Sequence, residues 1–175
     1  DFKREARLAH RLEHPNILPI RDASYIDGRF VIAMPLGERS LTERMHRRIS
    51  TEGALQLIDQ ALAAVAHAHQ AKVIHCDIKP DNLMLDQHGA VKIADLGLAS
   101  TVEETEEKAI GTPHFMAPEQ VLKKEIDHRT DLYALGCTFY RLVTGKTPFR
   151  GQTVKDILRA QVKDTAEPAN KANPD

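Results

Sequence analysis

One short run in the middle of the chain concentrates groups that could do chemistry: His75-Cys76-Asp77-Ile78-Lys79-Pro80-Asp81-Asn82. Asp77 can accept a proton. Lys79, two residues on, can offset negative charge, and Asn82 can offer an oxygen to a metal. Further along, Lys92-Ile93-Ala94-Asp95-Leu96-Gly97 supplies a second acid, followed by a glycine that frees the backbone. Phosphoryl transfer requires this set: an acid to orient an attacking hydroxyl, a cation beside it, and oxygen ligands for a hard divalent cation. Taken singly, each side chain reads as an ordinary loop or turn residue. Only the ordered set carries an argument.

These residues need elements to hold them. Phe2 to Leu12 reads as a helix with Glu5, Leu8 and Leu12 on one stripe, so a carboxylate lies on the apolar face and needs a partner. His14-Pro15-Asn16 stops it. Ile17 to Ile20 and Phe30 to Met34 read as short strands around a turn at Asp27-Gly28, with Pro35-Leu36-Gly37 as a connector. Ser40 to Arg48 suggests a short helix, followed by a longer one with Leu55, Ile58, Leu62, Val65 and His69 on one face. Val73-Ile74, Leu83–Leu85 and Val91–Ile93 are strand-like pieces around the polar loop. Leu98 to Met116 lacks periodicity and is a candidate functional loop. A strong helix follows, with Leu132, Leu135, Phe139, Leu142 and Val143 at helical spacing and Gly145 as its cap. Val154 to Val162 suggests another. The polar tail from Thr165 to Asp175 is expected to be disordered. Strands first and helices after give an α+β fold of split architecture.

The two chemical segments resemble the catalytic loop and the metal-binding Asp-Phe-Gly motif of protein kinases. Gly111-Thr112-Pro113-His114-Phe115-Met116-Ala117-Pro118-Glu119 is similar to the end of that family's activation loop. Asp131-Leu132-Tyr133-Ala134-Leu135-Gly136 is similar to the start of its central helix, Thr147-Pro148-Phe149 follows at the usual interval, and Phe2 to Asn16 resembles its regulatory helix and the turn after it. The motifs stand in family order over nearly the whole chain. The resemblance implies a bilobal protein-kinase-like fold. Residues 1–35 would be a remnant of the small lobe, 36–164 the large lobe and 165–175 a tail.

It also implies roles in a serine/threonine kinase using ATP and Mg²⁺ on a protein substrate. Asp77 would be the catalytic base, Lys79 would stabilise the transferring phosphate, and Asn82 and Asp95 would hold the metal. Glu5 would pair with the ATP-binding lysine. Met34 would be the gatekeeper, Ala33 taking that place if the register shifts by one, and Leu36 would belong to the adenine-binding connector. Met84 would lie under the adenine ring, and Asp131 would anchor the catalytic loop. Lys79 with Thr112 points to serine or threonine as acceptor. A pseudokinase-type binding or scaffolding module is the rival, and a small-molecule kinase of related fold ranks below it.

Three departures from the family pattern matter. The usual His-Arg-Asp is His75-Cys76-Asp77, so the arginine that commonly receives an activation-loop phosphate is absent. Ser100 stands where a second basic residue is common, and Glu103, Glu104, Glu106 and Glu107 make the loop acidic. A phosphate adds about −1.5 to −2 charges and needs cations nearby. Activity that does not depend strongly on phosphorylation of Ser100, Thr101 or Thr105 is therefore expected. Cys76 reads as a small apolar residue rather than a reactive thiol. Finally, no Gly-rich loop and no strand bearing the family's ATP-binding lysine precede Glu5, and the last helices of the family are not in the pattern. The 175 residues alone are therefore expected to bind ATP poorly, with Glu5 and Glu119 lacking charge partners.

Composition narrows the alternatives. A net charge of −1 and the absence of Trp give no case for nucleic acid. His67 and His69 are two apart and do not share a helix face, which argues against a metal pair. No apolar run approaches the roughly 20 residues that span a bilayer. Two cysteines form no framework and suggest a reducing, cytoplasmic setting, although a membrane anchor outside these residues is compatible with all of this.

Overall fold

The computed structural model describes residues 12–27, 29–96, 100–101 and 112–173. The proposed helix at Phe2 to Leu12, apart from Leu12 itself, and with it Glu5, lies outside the described residues, as does the loop hydroxyl of Thr105.

The elements run β1 (Asp22–Ile26), β2 (Arg29–Ala33), β3 (Arg39–Ser40), α1 (Leu41–Arg44), α2 (Thr51–Gln70), β4 (Val73–Ile74), a 3₁₀ turn (Pro80–Asn82), β5 (Leu83–Leu85), β6 (Val91–Ile93), β7 (Ser100–Thr101), α3 (Pro118–Val121), α4 (His128–Thr144), α5 (Val154–Lys163) and α6 (Ala169–Ala172). The α+β reading holds. The strands form small antiparallel sheets: β1 with β2, β5 between β3 and β6, and β4 with β7. Among the described residues no helix is long and apolar enough to cross a membrane.

Two readings of the amino-terminal part are corrected. Ile17 to Ile20 is not a strand. Ile17 forms a single parallel bridge to Ile93, with Leu18 N–H donating to Ile93 C=O (2.9 Å) and Ile93 N–H to Asn16 C=O (2.8 Å). The partner of β2 is Asp22–Ile26, a more polar run. Ile17 is apolar because it is buried at 3% exposure in the core, not because it alternates along a ladder.

The core lies between α2 and α4 and extends under the β3–β5–β6 sheet, where Leu41, Ile78, Leu83, Val91 and Ile93 are almost fully buried. The inward face of α2 is also corrected. Ala54, Ala61, Ala64, Val65 and Ala68 are buried, with Ile58 packed against them, while Leu55 and Leu62 are exposed. A stripe of alanines lets the two helices approach closely, which bulkier leucines would prevent. On α4, Leu132 is exposed and the buried face runs through Thr130, Asp131, Ala134, Leu135, Cys137, Thr138 and Leu142.

Local signals account for the helix ends. Ser40 caps α1 through a reciprocal pair with Glu43. Asp127 caps α4, and Gly145 closes it at φ 71°, a left-handed conformation that glycine adopts without steric cost. The tail carries the short α6, and Asn173 Nδ2 donates to Val143 C=O at 2.6 Å, which ties its described part to the end of α4.

Candidate active site

Beyond β4 the chain bends sharply. Cys76 has φ 66°, a region uncommon for residues other than glycine and strained by about 1–3 kcal/mol. The surroundings hold it there. Asp131, in the first turn of α4 and 1% exposed, accepts from His75 N–H through Oδ2 (2.9 Å) and from Cys76 N–H through Oδ1 (2.9 Å). His69 Nε2 on α2 donates to the same Oδ2 at 2.8 Å. On the other side, Gln120 Nε2 donates to Cys76 C=O (2.8 Å), while its Oε1 accepts from Ala117 N–H (2.9 Å). Residue 76 is thus held at both its N–H and its C=O. Its thiol lies in a small apolar cluster with Ile74 and Ile126, which fits a packing role.

His75 links this loop to the second acid. Its Nδ1 accepts from Asp77 N–H (3.3 Å), so the ring proton is on Nε2, which donates to Ala94 C=O (2.9 Å). Ala94 N–H in turn donates to Asn82 C=O at 2.8 Å. Asp95 therefore follows a residue bonded to both ends of the loop. Asp95 itself is exposed, with φ 61°.

Three of the residues singled out from sequence, Lys79, Asn82 and Thr112, meet at Asp77. Lys79 Nζ lies 2.6 Å from Asp77 Oδ2 and donates to Thr112 Oγ1 at 2.9 Å. Thr112 approaches Asp77 Oδ1 through its N–H (3.1 Å) and its hydroxyl (3.3 Å). Asn82 Nδ2 donates to Asp77 C=O (2.9 Å) and reaches Oδ2 at 3.3 Å. Asp77 and Lys79 are 23% and 21% exposed, so the acid and its cation stay accessible from solvent. An alcohol oxygen, that of Thr112, already sits between carboxylate and ammonium.

Asn82 commits its amide nitrogen to Asp77, which leaves the carbonyl oxygen as the end a cation would take. With the exposed Asp95 carboxylate the donor set is all oxygen, which fits Mg²⁺. Among the described residues no three or more His, Cys, Asp or Glu side chains gather as a metal site. A cation here would complete its shell from phosphate oxygens and water.

The remaining candidates are more dispersed. Met84 is half-buried in β5 and meets the connector at Gly37, where an added Cβ would stand 2.7 Å from Met84 Cε. Met34 and Leu36 are exposed, at 40% and 99%. Ser100 and Thr101 form β7, paired with Ile74 and Val73. Glu119 accepts a hydrogen bond from the buried Thr130 hydroxyl at 2.6 Å.

Two supports were not read from sequence. Gln120 carried a usable signal: it is the third residue of a helix opened by Pro118, where a glutamine reaches back to the N-cap N–H. His69 carried none. Its partner lies 62 residues away, and its place on the apolar stripe of the helix did not say which group it would meet.

Comparison with known proteins identifies the family. The family model described as protein kinase domain matches residues 1–174. The chain is 33% identical over 180 residues to the serine/threonine-protein kinase PrkC of Bacillus subtilis, covering 99% of this chain and 28% of that protein. It is 34% identical over 193 residues to the serine/threonine-protein kinase pkn3 of Myxococcus xanthus, covering 99% and 35%. It is 32% identical over 170 residues to the serine/threonine-protein kinase PknH of Mycobacterium tuberculosis, covering 92% and 27%. The chain thus spans about a third or less of the length of these relatives. With its motifs in family order and a match along nearly its whole length, the chain belongs to the protein kinase domain family.

Proposed function

We propose that the protein containing this chain is an ATP- and Mg²⁺-dependent protein serine/threonine kinase. The observation that carries the reading is the contact set in which Asp77, Lys79 and the Thr112 hydroxyl meet within 3.3 Å. The names of the relatives support serine and threonine as acceptors.

In this mechanism Asp77 orients the acceptor hydroxyl and takes its proton as the oxygen–phosphorus bond forms. The bond from the γ-phosphorus to the β–γ bridging oxygen breaks, and ADP leaves. Lys79 offsets charge on the transferring group, where a fixed cation acts most strongly because charge is spread over the phosphoryl oxygens. Asn82 and Asp95 are the residues that would hold Mg²⁺, which when bound neutralises phosphate charge. Met84, Met34 and Leu36 are assigned to the adenine side, and Glu5 to the ATP-binding lysine. The test uses the complete protein with MgATP and matched peptides bearing Ser, Thr or Tyr. Phosphate on Ser or Thr is the expected product, and transfer to Tyr alone would overturn the assignment.

Cys76 offers no cation to a phosphorylated loop, and its backbone is already held by its N–H donating to Asp131 and its C=O accepting from Gln120. Combined alanine substitution of Ser100, Thr101 and Thr105 is expected to leave the peptide phosphorylation rate within about twofold of wild type. Abolished activity would show that a loop phosphate is required.

A further inference from the structure

Helix α5 lies outside the catalytic contacts, yet it carries a buried amide on its inward stripe beside Ile157 and Ala160. Gln161 is 3% exposed. A glutamine buried that deeply must satisfy both ends of its amide, and this one does so across two other elements. Its Nε2 donates to Pro113 C=O at 3.0 Å, and its Oε1 accepts the Tyr133 hydroxyl of α4. Burial raises the Tyr133 phenol well above its ordinary range, so it remains a donor, and burial pushes the neighbouring Cys137 thiol up to about 12.

The carbonyl that Gln161 holds is placed where it matters. Thr112 and Phe115 close a tight turn, with Phe115 N–H donating to Thr112 C=O at 2.8 Å and Met116 N–H to the same oxygen at 3.2 Å. Thr112 therefore spends its carbonyl inside the turn and its hydroxyl on Lys79. Gln161 takes the carbonyl of the next residue, so the turn is fixed to the helical body one peptide unit from the catalytic contacts. Resting on the kinase reading above, we propose that Gln161 is a positioning residue for the acceptor peptide. By holding Pro113 it sets the turn that presents Thr112 to Asp77 and Lys79, and with it the surface on which the acceptor docks. Tyr133 orients the Gln161 amide.

The experiment compares the complete protein with its Gln161→Met, Gln161→Glu and Tyr133→Phe variants. Methionine keeps the length and loses both bonds. Glutamate can still accept from Tyr133 but cannot donate to Pro113. Phenylalanine removes only the hydroxyl. Read out are peptide KM, ATP KM, ATP hydrolysis without peptide, and melting temperature. The two Gln161 variants are expected to raise peptide KM about tenfold and Tyr133→Phe about threefold, the range for breaking one buried neutral hydrogen bond. ATP KM and peptide-independent hydrolysis should stay within about twofold. Wild-type peptide KM in both Gln161 variants overturns the proposal. So does a rise in ATP KM and a loss of peptide-independent hydrolysis together with a lowered melting temperature, which would mark Gln161 as structural. A variant that does not fold leaves the decision to the others under the same criteria. Wild-type protein that transfers no phosphate overturns the kinase reading and this inference with it, whereas an active wild type with indifferent variants overturns this inference alone.

Discussion

Substituting Asp77 by Asn in the complete protein is expected to lower the rate of peptide phosphorylation by about 10²–10⁴-fold, the usual worth of a positioned general base. The change is nearly isosteric, so its meaning is chemical. In the native site the carboxylate takes Lys79 on Oδ2 and Thr112 on Oδ1. An amide keeps one oxygen but turns an NH₂ toward one of these donors, and it cannot accept the acceptor's proton. Lys79 would then lack its counter-charge beside an incoming phosphate. ATP KM should change little, because no contact assigned to the adenine involves Asp77. Initial rates at saturating and limiting ATP separate the two parameters. A variant with near-normal kcat would remove Asp77 from the chemistry.

The second large effect is expected at Asp131. Its carboxylate is 1% exposed and accepts from His75 N–H, Cys76 N–H and His69 Nε2. Asp131→Ala leaves these donors buried without an acceptor. Loss of one partner in a buried charged network costs about 3–5 kcal/mol. The strained backbone at Cys76 would also relax toward ordinary φ values and carry Asp77 with it. Both stability and activity should therefore fall, the first measured by urea denaturation and the second by peptide phosphorylation. Asp131→Asn retains an oxygen for one donor and should fall between the wild type and Asp131→Ala in both. Unchanged denaturation with Asp131→Ala would mean that the loop is held by other means. The two substitutions are distinguishable: Asp77→Asn should leave stability nearly intact.

What the sequence disclosed follows the range of the interactions. Asp77, Lys79, Asn82 and Asp95 stand in short ordered motifs, so their identity and grouping could be read directly, and the structure gathers the first three with Thr112. Capping was equally local, as Gly145 shows. Faces were harder. Periodicity weighted Leu55 and Leu62 over Ala54, Ala61 and Ala64, but close helix packing selects small side chains, and the leucines are exposed. Ile17 misled for a related reason: burial makes a residue apolar whether or not it lies in a strand. The supports of the site were least legible. His69, Gln120 and Gln161 act on partners 62, 44 and 48 residues away, and no local pattern announces a contact of that span.

Phosphate transfer, rather than nucleotide binding as a scaffold, is the activity proposed for this site. The most direct measurement gives the complete protein γ-labelled ATP with Mg²⁺ and a Ser-containing acceptor peptide, and scores both bound nucleotide and labelled peptide beside Asp77→Asn. Both proteins are expected to bind nucleotide, with label accumulating on the peptide serine only with the wild type. Nucleotide bound by both with no labelled peptide above the Asp77→Asn level would contradict phosphate transfer, and would make the protein a binding module built on a kinase fold.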